Sequence, residues 1–194
     1  MILFVQEWYE MTISSLATAT ANYAKEKAKS IKLLGLDVDG VLTDGKLYFS
    51  AQGDELKAFS ILDGLGIKML QKSGVQVVII TGRESPLTAR RASDLGIDII
   101  RQGREDKKAA LLEICAELSL SIEQCAYMGD DLPDLSAIRS AGLGLTVPNA
   151  YEFVKDHADF CTEKAAGQGA VREVCDLILN AQGNLNAMLD AYLT

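Results

Sequence analysis

The stretch Ile31-Lys32-Leu33-Leu34-Gly35-Leu36-Asp37-Val38-Asp39-Gly40-Val41-Leu42-Thr43-Asp44-Gly45 runs from apolar residues into two carboxylates and a glycine turn. A short Ile/Leu-rich run reads as a strand covered on both faces, and in open parallel sheets ligands bind outside the carboxyl ends of the strands. Asp37 and Asp39 therefore stand where a reacting group would sit. Alternate strand residues share a face, so the two carboxylates point the same way if extended geometry persists through Val38, while Gly40 lets the chain turn sharply. The spacing suits a nucleophile and its acid/base partner in phosphoryl transfer; alone, it also fits an acidic Asp/Gly turn without chemistry. Beside a phosphate dianion, unit charges about 4 Å apart at an effective dielectric near ~20 repel by about 4 kcal/mol per pair. A hard cation is then required, and magnesium fits because it takes oxygen ligands from one or two carboxylates plus a substrate phosphate.

Outward from this stretch, apolar runs ending in polar or Gly-rich turns recur at Val75 to Thr81, Ile97 to Ile100, Cys125 to Gly129 and Leu143 to Val147. Helical patterns lie between them, with Ser85-Pro86 as an N-cap and first-turn proline and Pro133 opening another helix. The alternation predicts an α/β fold, a doubly wound parallel sheet of Rossmann-like type. The exception is Lys46 to Ser60, which reads as a projecting β-hairpin around Ala51-Gln52-Gly53-Asp54. We expect a helical extension over residues 1–30, one domain over 31–182 with its hairpin at 46–60, and a tail at 183–194. The Ala-rich, Lys-tailed pattern from Ile13 to Lys29 predicts a helix laid against the domain or a neighbour.

The 194 residues, 48% hydrophobic with 3 Pro and a net charge of -8, suit one compact domain and disfavour nucleic acid or an anionic membrane as partner. The apolar start is broken by Gln6, Glu7 and Glu10 and lacks a basic n-region, so neither a signal peptide nor a membrane span is expected. Cys115, Cys125, Cys161 and Cys175 form no Cys-x-x-Cys and sit in apolar contexts, the pattern of free thiols in a reducing, cytoplasmic setting. His157 is the only histidine, which excludes a two-His metal centre, and no cysteine has an Arg six positions on. A phosphatase built on this chain must work through aspartate.

Three further stations carry chemistry. Thr81-Gly82-Arg83 places a hydroxyl that can hold a phosphoryl oxygen and a guanidinium that can pair with a phosphate or carboxylate, although Thr-Gly is also an ordinary strand terminus. Lys107 opens the helix Lys108 to Leu118, against the helix dipole. It reads either as a neutraliser of phosphoryl charge or as a solvated side chain beside Glu105 and Asp106. Gly129-Asp130-Asp131-Leu132-Pro133-Asp134 is a second acidic cluster at a strand end. Asp130 is the candidate direct ligand, with Asp131 and Asp134 holding metal waters or orienting Lys107.

In this order, Asp-x-Asp-Gly-Val-Leu-Thr-Asp-Gly, Thr-Gly-Arg, Lys107 and Gly-Asp-Asp-x-x-Asp resemble the four motifs of the haloacid dehalogenase superfamily, from about Ile31 to Gln182. The resemblance implies that Asp37 is the nucleophile forming an aspartyl-phosphate and that Asp39 protonates the leaving alkoxide and then activates water. It implies that Thr81 and Lys107 hold the phosphoryl oxygens. Asp37, the backbone carbonyl of Asp39, and Asp130 would bind Mg2+. Roughly forty residues separate Asp37 from Thr81 and fewer separate Thr81 from Lys107, too few for an inserted cap domain of at least about fifty. The chain thus resembles the capless subgroup, whose homotetramers close the site with neighbouring hairpins and tails. Leu56 to Phe59, Asp63 to Lys68, Gln102-Gly103 and Gly167 to Glu173 resemble members acting on phosphates of eight-carbon acidic sugars. By that resemblance Ser60, Asp63, Gly64, Lys68, Arg83 and Arg91 contact the anionic sugar phosphate. Leu62, where some relatives carry Arg, and Ala166, in place of a Gly, depart from the pattern. A nine-carbon sialic-acid-type 9-phosphate is the alternative substrate; a phospho-aspartate signalling domain or a silent oligomerisation module is the alternative of another class.

Overall fold

A computed structural model describes residues 19–193. Residues 19–28 (α1) are helical, and the part of the expected helix before residue 19 lies outside the described residues. The chain continues through β1 (Leu33–Leu36), β2 (Tyr48–Phe49), β3 (Glu55–Leu56), α2 (Ile61–Lys72), β4 (Gln76–Ile80), α3 (Pro86–Leu95), β5 (Ile100–Arg101) and α4 (Lys107–Glu117). It ends through β6 (Cys125–Met128), α5 (Leu132–Ser140), β7 (Leu143–Thr146), α6 (Glu152–Lys155), β8 (Phe160–Cys161), α7 (Ala170–Ala181) and α8 (Leu185–Asp190).

Six strands form one sheet in the order β5-β4-β1-β6-β7-β8, every neighbouring pair parallel. The chain leaves β1 towards β4 and β5, then crosses to β6 on the other side. The order reverses beside β1, so crossovers diverge and open a crevice at the carboxyl ends of β1 and β6. Leu36 is in register with both Ile79 of β4 and Met128 of β6, which brings Asp37 level with the residues that follow those strands.

Period-two alternation sorts β1 between two cores. Leu34 and Leu36 join Val77, Ile79, Ala126 and Met128 against α1, α2 and α7, while Leu33 joins Val78, Ile80 and Tyr127 against α4 and α5. Each large apolar side chain taken fully from water contributes about 1.5–3 kcal/mol. Gly35 is required by packing: a Cβ there would stand 2.8 Å from the Tyr127 ring. The hairpin is a two-stranded antiparallel sheet of β2 and β3, as expected from the sequence.

Several boundaries differ from the sequence reading. The third expected strand is Ile100–Arg101, and β8 was not read at all because two half-exposed residues carry no periodicity. Gly64 and Gly66 lie inside α2, where Cβ atoms would come within 2.5 Å of Arg91 and 2.8 Å of Arg172. Residues expected as a tail include the helix α8, packed on α7. No helix among the described residues is long and apolar enough to cross a membrane.

Candidate active site

Past β1 the chain wraps tightly: the N–H groups of Leu42 and Thr43 donate to the Val38 carbonyl at 2.9 and 3.0 Å. Gly40, at φ +95°, makes the turn, and a Cβ there would lie 2.0 Å from Asp130 Oδ2. Glycine thus keeps clear the space in which the carboxylates after β1 and β6 face one another. Asp37, Asp39, Thr81, Arg83, Lys107, Asp130, Asp131 and Asp134 all line one open cavity of about 470 Å³ at the carboxyl ends of β1, β4 and β6.

Asp37 is 5% exposed and Lys107 4% exposed. Lys107 is therefore not a solvated side chain. Its Nζ stands 2.9 Å from Asp37 Oδ1 and 2.6 Å from Asp134 Oδ1. Lys107 begins α4, which Asp106 caps by accepting from Ala109 N–H, and these buried carboxylates supply the anionic compensation its helix-start position demands. Asp134 is saturated: Oδ1 also accepts from the Tyr127 hydroxyl at 3.0 Å, and Oδ2 from the Asp130 and Asp131 N–H groups. A carboxylate offers about four acceptor positions. Asp134 thus holds Lys107 and the loop after β6, while Asp131 caps α5 through Leu132 N–H.

One oxygen from each of Asp37, Asp130 and Asp134 lies within 4.8 Å of the others. Burial, then the charge of Asp134, pushes the Asp37 carboxyl up to about 7 against the pull of Lys107. Burial, with Asp37 and Asp134, likewise pushes Asp130 up to about 7. Burial works against the charge on Lys107, yet Asp37 and Asp134 outweigh it and hold the ammonium above its usual range. Three carboxylates against one ammonium leave an excess of negative charge that a divalent cation would balance. Asp37 and Asp130 fit an oxygen-liganded ion, because Asp134 is already committed.

Thr81, 2% exposed at the end of β4, and Arg83 complete the wall. The half-buried Asp39 carboxylate accepts from Lys57 Nζ, and Arg83 Nε lies 3.6 Å from its Oδ2. Glu55 joins these cations, 2.9 Å from Arg83 and 3.7 Å from Lys57. Lys57 and Glu55 were missed as site residues. Their signals were charge at alternate positions where the hairpin returns to the domain and, for Lys57, its place in the Leu56 to Phe59 stretch that carries the resemblance.

Ser60, Asp63, Gly64 and Arg91 form a separate group at the start of α2. Ser60 caps that helix by accepting from Asp63 N–H, and Arg91 donates to the Ser60 carbonyl at 2.9 Å beside the Phe59 ring. Asp63 is 1% exposed and accepts from Arg172 N–H at the start of α7. Lys68 lies in another cavity, with Lys72, Met188 and Tyr192. Within one chain, none of these five lines the cavity of the carboxylates.

Residues 87–174 match the haloacid dehalogenase-like hydrolase family. The chain is 44% identical over 176 residues to the 3-deoxy-D-manno-octulosonate 8-phosphate phosphatase of Escherichia coli, covering 89% of this chain and 94% of the relative. The crystal structure of that phosphatase from Moraxella catarrhalis, in complex with magnesium ion, phosphate ion and KDO, superposes with a TM-score of 0.87 at 48% identity, covering 88% of this chain and 98% of that one. The cobalt-bound Haemophilus influenzae enzyme superposes with a TM-score of 0.82 at 40% identity, over 87% and 99% of the two chains. By this likeness across most of its length, the chain belongs to the 3-deoxy-D-manno-octulosonate 8-phosphate phosphatase family of haloacid dehalogenase-like hydrolases.

Proposed function

We propose that this protein is a magnesium-dependent phosphomonoesterase that hydrolyses 3-deoxy-D-manno-octulosonate 8-phosphate, in lipopolysaccharide biosynthesis. The observation that carries the reading is the buried Asp37–Lys107–Asp134 array beside Asp130, open to a cavity walled by Thr81 and Arg83. The Moraxella relative, crystallised with magnesium, phosphate and KDO, supports the choice of substrate and metal.

Asp37 attacks phosphorus, forming the aspartyl-phosphate as the bond to the sugar oxygen breaks, and Asp39 gives its proton to the leaving alkoxide. Asp39 then takes a proton from water, whose oxygen attacks the same phosphorus and releases Asp37 and inorganic phosphate. Thr81 and Lys107 hold the phosphoryl oxygens, and Asp134 fixes Lys107. Asp37, the Asp39 carbonyl and Asp130 would hold magnesium, which when bound neutralises charge between the carboxylates and the phosphoryl group.

The working form is a homotetramer. Leu47, Tyr48, Phe49 and Leu56 leave the hairpin's apolar side chains 41–63% exposed, a surface suited to another copy. Neighbouring chains close the open cavity and bring Ser60, Lys68 and Arg91 to the sugar, over the support of Asp63 and Gly64, while Arg83 reaches it within the chain. The four free thiols support a reducing, cytoplasmic setting.

The test is magnesium-dependent phosphate release from the eight-carbon 8-phosphate beside nine-carbon 9-phosphates and hexose phosphates. Preference for the eight-carbon acid by specificity constant is expected; preference for a nine-carbon acid would reassign the substrate. Asp37→Asn should abolish turnover with the fold intact, and near-normal release by that variant would overturn the nucleophile assignment.

A further inference from the structure

We propose that Lys57, at the return of the hairpin, is the positioning residue for the acid/base carboxylate Asp39. The inference rests on the reading of Asp39 given above. The Lys57 side chain is 3% exposed, so its ammonium has left water and needs an anionic partner. Its nearer partner is not Glu55 within the hairpin, at 3.7 Å, but Asp39, eighteen positions earlier on the loop after β1.

The two Asp39 oxygens are thereby distinguished. Oδ1 accepts from Lys57, whereas Oδ2 has Arg83 Nε at 3.6 Å, beyond hydrogen-bond range. An ammonium only donates, so Lys57 keeps Oδ1 an acceptor, and the proton Asp39 delivers is carried on Oδ2. Arg83, with its side chain 44% exposed and its Nη2 on Glu55, holds less firmly. Asp39 sits on a loop beyond the sheet, with two side-chain torsions and no other side-chain hydrogen bond among the described residues. A donor from a different element is what gives its carboxylate one orientation, as outer partners orient ligands and bases generally.

The consequence is specific to the leaving group. A sugar alkoxide needs a proton as it departs, whereas p-nitrophenolate does not. Removing Lys57 should therefore slow formation of the aspartyl-phosphate from the sugar ester and spare that step for the aryl ester, while the later attack of water, which Asp39 assists as a base, is common to both. Loss of a positioned acid or base is worth about 10²–10⁴-fold, and loss of its positioning a part of that.

The experiment compares wild type, Lys57→Met, Lys57→Arg, Asp39→Asn and the Asp39→Asn/Lys57→Met double variant on 3-deoxy-D-manno-octulosonate 8-phosphate and p-nitrophenyl phosphate, with magnesium. Lys57→Met is expected to lower kcat/KM on the sugar ester by about 10- to 100-fold, with KM raised no more than about threefold, and to leave kcat/KM on the aryl ester, which reports only the steps through release of p-nitrophenolate, within about threefold. Lys57→Arg should recover most of the loss, and adding Lys57→Met to Asp39→Asn should cost less than about threefold more. Equal loss of kcat/KM on both esters, a change confined to KM, or a full further loss in the double variant would overturn the proposal. If Lys57→Met does not fold, Lys57→Gln takes its place, and equal loss of kcat/KM on both esters again overturns the positioning role. Wild type inactive on the sugar ester would instead overturn the substrate reading, a separate failure.

Discussion

At the residue scale, the site turns on how many negative charges one buried ammonium can hold. Lys107 meets Asp37 and Asp134, Asp134 is fully hydrogen-bonded, and Asp130 pairs with no cation among the described residues. Asp37 and Asp130 accordingly sit at about 7, from an ordinary 3.8. Between about pH 4 and about 7 the metal-free native protein binds more protons at these groups than the unfolded chain. Their contribution to stability therefore falls as pH rises through that window and levels off above it. Magnesium competes with those protons, so its stabilisation should be largest above the window. Thermal unfolding with and without magnesium at pH 5 and pH 8 checks this: the midpoint should rise more at pH 8, and an equal rise at both would sink the cluster as the metal site. Lys57 and Lys107 also differ in how legible they were. Lys107 stood out as a cation at a helix start, whereas Lys57 lay in a hairpin whose pattern reveals strand pairing but not what the returning chain touches.

At the element scale, α2 and α7 pack along a helix seam. Gly66 lets them approach, since a Cβ there would meet Arg172 at 2.8 Å. The N-cap of α7 is Gly169, which offers no side-chain acceptor, and Asp63 of α2 supplies one from across the seam by accepting from Arg172 N–H. Asp63 thus caps a helix from which it is separated by most of the chain. Asp63→Ala should cost about 1–2 kcal/mol, the worth of a lost cap, while Asp63→Asn, which keeps an acceptor, should cost less. Urea unfolding checks this through the midpoint at constant m-value, and an Asp63→Ala midpoint equal to wild type would refute the cross-seam cap. From sequence, Asp63 and Gly64 are sugar contacts by resemblance, and the close helix approach at Gly66 goes unread, because glycine signals a turn far more often than a close helix approach.

At the scale of the whole molecule, the parallel sheet supplies a crevice but no cover. The hairpin is too small to roof it and presents Phe49 and Leu56, each 63% exposed, away from its own core. Replacing both by Ser should leave the chain folded while shifting the proposed tetramer towards smaller species in sedimentation. The same variant should raise KM for the sugar phosphate if a neighbouring chain walls the site as proposed. A tetramer unchanged by both substitutions would place the interface elsewhere. The N-terminal extension contributes buried Ala24 and Ala28 from α1, joined to the end of α7 through Gln182, whose amide donates to the Ala28 and Ile31 carbonyls.

The amino-acid sequence by itself determined the parallel α/β class, the hairpin, and the order along the chain of the stations at Asp37, Asp39, Thr81, Lys107 and Asp130. These follow from short-range causes: hydrophobic period, strand-end glycines, first-turn prolines and acidic clusters at strand ends. Only the tertiary structure decided which charges share one desolvated space. Whether Lys107 is solvated or buried, whether Asp134 is free or saturated, and whether Lys57 serves the hairpin or Asp39 depend on contacts between residues far apart in the chain. The energy of a charge is set by the water it has lost and the partners it meets, and neither is written in its immediate neighbours.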